Sequence, residues 1–166
     1  MLTRRQFIQL AGAAGALSAL PLVHGKGTKG HVVVIGGGYG GAVCAKYIRR
    51  RAPGVKVTLV EKDARFVSCP FSNKVLAGLM DIEELTFTYD KLKAKHGIDV
   101  IHDEAMEVDP VAKKVKLKGG RTLSADRIVL SPGIGFRWGA IEGYDEKAAE
   151  VLPHAWEAGP QTLLLK

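Results

Sequence analysis

Between residues 31 and 61 the chain moves from apolar to polar and back in a pattern that spells strand, helix, strand. His31 is followed by Val32-Val33-Val34-Ile35, and glycines end the run. A short β-branched run that stops at glycine predicts a parallel strand buried on both faces and entering a tight turn. Residues 42–51 have helix-forming composition and meet a stop at Pro53-Gly54. The apolar run 55–60 then closes on Glu61. Residues 62–70 read as a loop, 72–80 and 82–95 as helices, and 98–101 as a short strand. From 105 the period changes: 105–108, 113–117 and 121–123, with a turn at Gly119-Gly120, predict a small antiparallel ribbon. Its polar alternation suits a solvent-facing flap. Residues 126–130 read as a buried strand ending in Ser131-Pro132-Gly133. The fold class is α/β: a Rossmann-like parallel sheet carrying an inserted antiparallel β-ribbon.

The glycines at the first turn stand at the spacing G-x-G-x-x-G: Gly36, Gly38 and Gly41. Each has a physical task. Gly36 permits the tight turn, Gly38 lets the backbone approach a pyrophosphate, and Gly41 lets helix and strand pack closely. The helix N-terminus offers unpaired N–H groups and a positive dipole end to the phosphates. Glu61, 20 residues beyond Gly41, is placed to accept hydrogen bonds from ribose hydroxyls and to repel a 2′-phosphate. Together these features predict an adenine dinucleotide. A ribbon inserted before the last strand, with a small-residue turn after it, is the layout of an FAD domain. In that layout Ser131, Pro132 and Gly133 bring backbone up to the cofactor.

Composition adds bounds rather than identity. The 166 residues suit one domain, with 46% hydrophobic and 25% charged residues. The net charge of +7 is spread over helix ends and hairpin lysines with no aromatic-interleaved stripe, which disfavours nucleic acid. Residues 1–25 are expected to be an export signal: Arg4-Arg5 precede Phe7 and a mild apolar stretch rich in alanine and glycine. The paired arginines resemble the twin-arginine signal, which exports folded proteins. Gln9 and Pro21 weaken the alternative of a membrane anchor, so no stable membrane insertion is expected. The folded part is then residues 30–166, in the periplasm.

Other chemistry is sparse. The five histidines, His24, His31, His96, His102 and His154, show no metal-ligand spacing, and no Ser-His-Asp or paired-carboxylate set is identifiable. An exported chain with two cysteines invites a Cys44–Cys69 disulfide. Cys44 falls inside the first helix, where it reads as a small core residue. Cys69 lies on the loop leaving the second strand; spacing leaves it open between a redox thiol, a covalent attachment point and an inert or disulfide-bonded cysteine.

Several stretches together resemble the flavoprotein subunit of flavocytochrome c sulfide dehydrogenase. They are Val33-Val34-Ile35-Gly36-Gly37-Gly38, Ala45-Lys46-Tyr47-Ile48, Val57-Thr58-Leu59-Val60-Glu61, and Cys69 with Ser72-Asn73. Further on come Gly97-Ile98, Pro132-Gly133-Ile134, Ile141-Glu142-Gly143-Tyr144 and Leu152-Pro153-His154-Ala155-Trp156, with Gln161-Thr162. The resemblance implies a periplasmic flavoprotein with two dinucleotide-binding domains. It implies FAD held covalently by Cys69 through a thioether to the 8α carbon, sulfide as substrate, and a docked c-type cytochrome subunit as electron acceptor. Gly36, Gly38, Gly41 and Glu61 carry over as cofactor-binding positions, and Ser131, Pro132 and Gly133 as the turn beside it. Sulfide:quinone and NADH:quinone oxidoreductases are the related alternative, as is an FAD-binding fragment without turnover. Pro70-Phe71 departs from the tyrosine-containing pair expected after the attachment cysteine. Family members are also longer, and their redox-active disulfide would fall beyond residue 166, so the chain is expected to be a truncated N-terminal piece.

Overall fold

The computed structural model describes residues 30–166; the expected leader lies outside the described residues. Four parallel strands form the central sheet, in the order β5-β2-β1-β9: Asp99–Ile101, Val55–Val60, Gly30–Ile35 and Arg127–Leu130. Val32 is in register with Val57 on one side and Arg127 on the other. The apolar runs become the two central strands because only there do neighbours and covering layers remove both faces from water.

Each face has its own core. On one, helix α1 (Tyr39–Arg51) and helix α3 (Asp90–His96) cover Val34, Val57 and Leu59, with Ala45, Tyr89 and Ile98 completing the cluster. On the other, the ribbon β6-β7-β8 (Ala105–Asp109, Lys114–Leu117, Thr122–Ser124) lays Val115 and Leu117 over Val33, Ile35, Val60 and Ile101. The expected solvent-facing flap is therefore the second covering layer. The alternation Lys114-Val115-Lys116-Leu117 puts lysines in water and buries the apolar pair. Burying each such side chain contributes about 1.5–3 kcal/mol.

Four further expectations change. The helix expected over 82–95 is a 3₁₀ turn (Ile82–Leu85), a strand β4 (Thr86–Thr88) and helix α3. Strand β4 pairs antiparallel with β3 (Arg65–Val67), inside the expected loop, with Phe66 opposite Phe87. The sequence Thr-Phe-Thr favours strand once a partner exists. The helix expected over 72–80 is α2, Ser72–Leu76, ended by Gly78 at φ +70°. Strand β9 is an edge strand rather than a buried one, with Arg127 and Leu130 exposed. After it, only short helices α4 (Ala148–Val151) and α5 (Pro160–Leu165) form. No helix among the described residues is long and apolar enough to cross a membrane.

Candidate functional site

Three chain crossings stitch the carboxyl end of the sheet around residues 36–41. The Gly36 N–H donates to the Val60 carbonyl at 2.9 Å, Glu61 N–H to the Ile101 carbonyl at 3.0 Å, and Ser131 N–H to the Ile35 carbonyl at 2.8 Å. The turns leaving β1, β2 and β9 thereby meet at one place.

The three motif glycines differ in what surrounds them. Gly36 has φ +96°, and a Cβ there would lie 1.9 Å from the Ser131 carbonyl oxygen and 3.1 Å from Pro132 Cα. At Gly41 a Cβ would lie 1.8 Å from the Gly36 carbonyl oxygen and 3.3 Å from Val34 Cγ1. These two are glycines because the chain itself fills the space. At Gly38 the nearest atom to an added Cβ is Phe66 Cε2, 3.8 Å away. Here the open space lies beside the start of α1, whose first turn carries no acidic residue and no side-chain cap. A 13-residue helix opening on bare backbone N–H groups is an anion-binding geometry.

Glu61 stands at the rim. Its carboxylate accepts the Gly37 N–H at 2.5 Å and the Asp63 N–H at 3.0 Å, so its position beside the glycine turn is set by the backbone. Ser131 and Pro132 pack directly on Gly36, whereas a Cβ at Gly133 (φ +81°) would meet nothing within 4 Å.

Cys69 is exposed and free, as is the half-buried Cys44; no disulfide joins them. The Cys69 loop is tied to the site through its neighbour. Ser68 is buried, and its hydroxyl hydrogen-bonds the hydroxyl of Tyr39, the first residue of α1. The Cys69 carbonyl accepts the Ser72 N–H at 3.0 Å. Phe71 follows at φ 72°, a left-handed conformation uncommon for a bulky residue.

Two cavities flank these elements. An apolar cleft of about 250 Å³ runs along α1 from Gly38 to Lys46 and is walled by Phe66, Phe87, Tyr89 and Leu92. A more polar one of about 470 Å³ lies between Lys62 and the segment after Gly133, and includes Phe136, Trp138, His154 and Gln161. The His154 ring lies tilted by 40° against that of Phe136 with centroids 4.4 Å apart, while Trp156 is largely exposed.

Sequence reasoning missed Tyr89. Buried in the same core cluster as Ala45 and Ile98, it donates its hydroxyl to the Gly37 carbonyl at 3.2 Å. Burial, then the Glu61 and Asp63 carboxylates, push its pKa well above the usual tyrosine value, so it is a neutral donor. The one local signal was Gly37 itself, a glycine between Gly36 and Gly38 that the motif spacing does not require. Among the described residues, no group of three or more His, Cys, Asp or Glu side chains is placed to hold a metal ion.

Comparison with known proteins gives this geometry relatives. Residues 30–158 match the family described as pyridine nucleotide-disulphide oxidoreductase. Over 49 residues the chain is 61% identical to the sulfide dehydrogenase (flavocytochrome c) flavoprotein chain of Chlorobaculum thiosulfatiphilum, covering 30% of this chain and 100% of that sequence. It is 32% identical over 129 residues to the sulfide-quinone reductase of Aquifex aeolicus, covering 76% of this chain and 30% of the relative. The solved structure of the sulfide:quinone oxidoreductase from Aquifex aeolicus superposes with a TM-score of 0.62 at 32% identity. That match covers 66% of this chain and 26% of the solved one. The chain thus spans about 30% of the length of the full Aquifex relative.

Proposed function

Because the chain belongs to the pyridine nucleotide-disulphide oxidoreductase family, we propose that it is the FAD-binding part of a sulfide dehydrogenase. In this reading the protein oxidises sulfide at its flavin in the periplasm and passes electrons to a c-type cytochrome subunit. The observation that carries FAD binding is the cradle at Gly38. Gly36 and Gly41 are filled by the chain's own backbone, while Gly38 alone leaves room at the uncapped start of α1. The similarity to the flavocytochrome c flavoprotein chain supports sulfide as the substrate.

The residues fit the cofactor. The α1 N-terminus and Gly38 would hold the pyrophosphate, and Glu61 would accept ribose hydroxyls through the lone pairs that its bonds to the Gly37 and Asp63 N–H groups leave free. Ser131 and Pro132 brace the glycine turn from beneath. FAD, when bound, supplies the acceptor for two electrons from a sulfur nucleophile and the donor of single electrons to haem. The exposed Cys69 thiol, tied to α1 through Ser68 and Tyr39, is the proposed attachment point for the 8α carbon. The Arg4-Arg5 leader supports export of the folded chain.

A quinone acceptor is the second reading, favoured by the 129-residue match to sulfide-quinone reductase. Mass spectrometry of the denatured chain, purified after expression with its leader, separates the two. A flavin adduct on the Cys69 peptide is expected. FAD released on denaturation would overturn covalent attachment and favour the quinone-reducing relatives, and absence of any flavin would overturn FAD binding by this chain.

A further inference from the structure

We infer that Tyr89 is a positioning residue for the dinucleotide phosphates: its hydroxyl fixes the Gly37–Gly38 peptide so that the Gly38 N–H faces the cofactor. The inference rests on the dinucleotide-binding reading and adds a residue that the glycine motif does not contain.

The Gly37 carbonyl and the Gly38 N–H belong to one planar trans peptide and point in opposite directions. Tyr89 donates to that carbonyl at 3.2 Å from the buried side, across 52 residues of sequence. Held there, the carbonyl keeps the Gly38 N–H pointing away from the Tyr89 hydroxyl, and the space beside Gly38 is open, since an added Cβ would meet no atom closer than 3.8 Å. Among the described residues, the Gly38 N–H has no hydrogen-bond partner of its own.

The need for a clamp is local. Gly36-Gly37-Gly38 is a run of three glycines, and glycine passes freely between conformations that other residues avoid. Without a restraint on both sides, a peptide inside such a run can flip. Glu61 restrains the peptide before it by accepting the Gly37 N–H at 2.5 Å. Tyr89 restrains the one after it. Its ring also explains why position 37 is glycine: a Cβ there would lie 2.6 Å from the Tyr89 hydroxyl and 2.8 Å from two ring carbons. Tyr89 is itself well held. It caps helix α3, its ring lies 5.8 Å from that of His102, and it is 5% exposed.

Tyr89→Phe tests this because it keeps the ring packing and removes only the hydroxyl. Calorimetric titration of the full chain with ADP and with adenosine is the measurement. Wild type binds ADP if the dinucleotide reading holds. In Tyr89→Phe, ADP affinity is expected to fall about five- to tenfold while adenosine affinity stays within twofold. The Gly38 amide signal in a ¹H–¹⁵N correlation spectrum should broaden or split, with the rest of the spectrum intact. Unchanged ADP affinity, or an equal loss for both ligands, would overturn the phosphate-positioning role while leaving nucleotide binding standing. Failure of wild type to bind ADP would instead remove the premise and the inference with it.

Discussion

The two ends of one parallel sheet solve opposite problems. At the amino end, polar groups satisfy one another. His31 Nδ1 donates to the Ser124 carbonyl at 2.8 Å and Nε2 hydrogen-bonds Thr58 Oγ1 at 2.8 Å. The Asp126 carboxylate accepts the His31 N–H at 2.7 Å, and the Asp126 N–H returns to the His31 carbonyl at 2.8 Å. That network ties β1, β2 and the start of β9 together and offers nothing to a ligand. At the carboxyl end, Glu61 and Tyr89 spend hydrogen bonds on the backbone of a glycine turn, and the Gly38 N–H of that turn is left without a partner among the described residues. A closed network holds strands in register; side chains that orient backbone prepare a binding surface.

The largest expected effect breaks the carboxyl end. Gly36→Ala would place a methyl 1.9 Å from the Ser131 carbonyl oxygen at a φ of +96°. Backbone cannot yield as a flexible side chain does, so a loss of about 3–5 kcal/mol or outright misfolding is expected in thermal denaturation. Near-wild-type stability would mean that the Ser131 turn does not brace the glycine turn. Gly38→Ala sharpens the contrast. Gly38 has φ −67° and room for a methyl, so the melting temperature should change little, while ADP affinity falls more than about tenfold because the methyl occupies the phosphate approach. Equal ADP affinity in Gly38→Ala and wild type would remove Gly38 from the site.

The amino end should show the reverse. His31→Ala removes both ring hydrogen bonds and deprives the buried Thr58 hydroxyl of its closest partner. A cost of about 1–3 kcal/mol is expected in chemical denaturation, with ADP affinity unchanged. A parallel loss of affinity would show that the two ends are coupled through β1.

How far this division was legible in the sequence follows from distance along the chain. The unit from Val32 to Glu61 could be read because strand, turn, helix and acid are contiguous and each carries its own signal. The resemblance to the flavocytochrome c flavoprotein chain is matched by 61% identity over 49 residues. The β3–β4 pair was hidden because three-residue strands have no period to detect, and Phe66 and Phe87 become strand residues only on meeting. Tyr89 was hidden for the same reason, lying inside an expected helix and acting 52 residues away. The ribbon is a different case. The alternation of Lys114, Val115, Lys116 and Leu117 shows one apolar face, but nothing local says that this face closes a core rather than lining a flap.

The smallest expected effect is alkaline and isolates Tyr89. Its folded-state pKa lies above the ordinary value of 10.0, first through burial and then through the Glu61 and Asp63 carboxylates. A group whose folded pKa is raised contributes its stability in full below the unfolded pKa and loses it as pH climbs towards the folded value. The window therefore opens at about pH 10 and lies above it. Lysines and other tyrosines titrate in the same range, so the informative quantity is a difference between two chains. Between pH 9.5 and about 11.5 the melting temperature of wild type should drop a few degrees more than that of Tyr89→Phe, which has no phenol to keep neutral beside two carboxylates. Parallel curves would place the Tyr89 hydroxyl in contact with solvent, and an exposed hydroxyl cannot hold the Gly37 carbonyl against a flip.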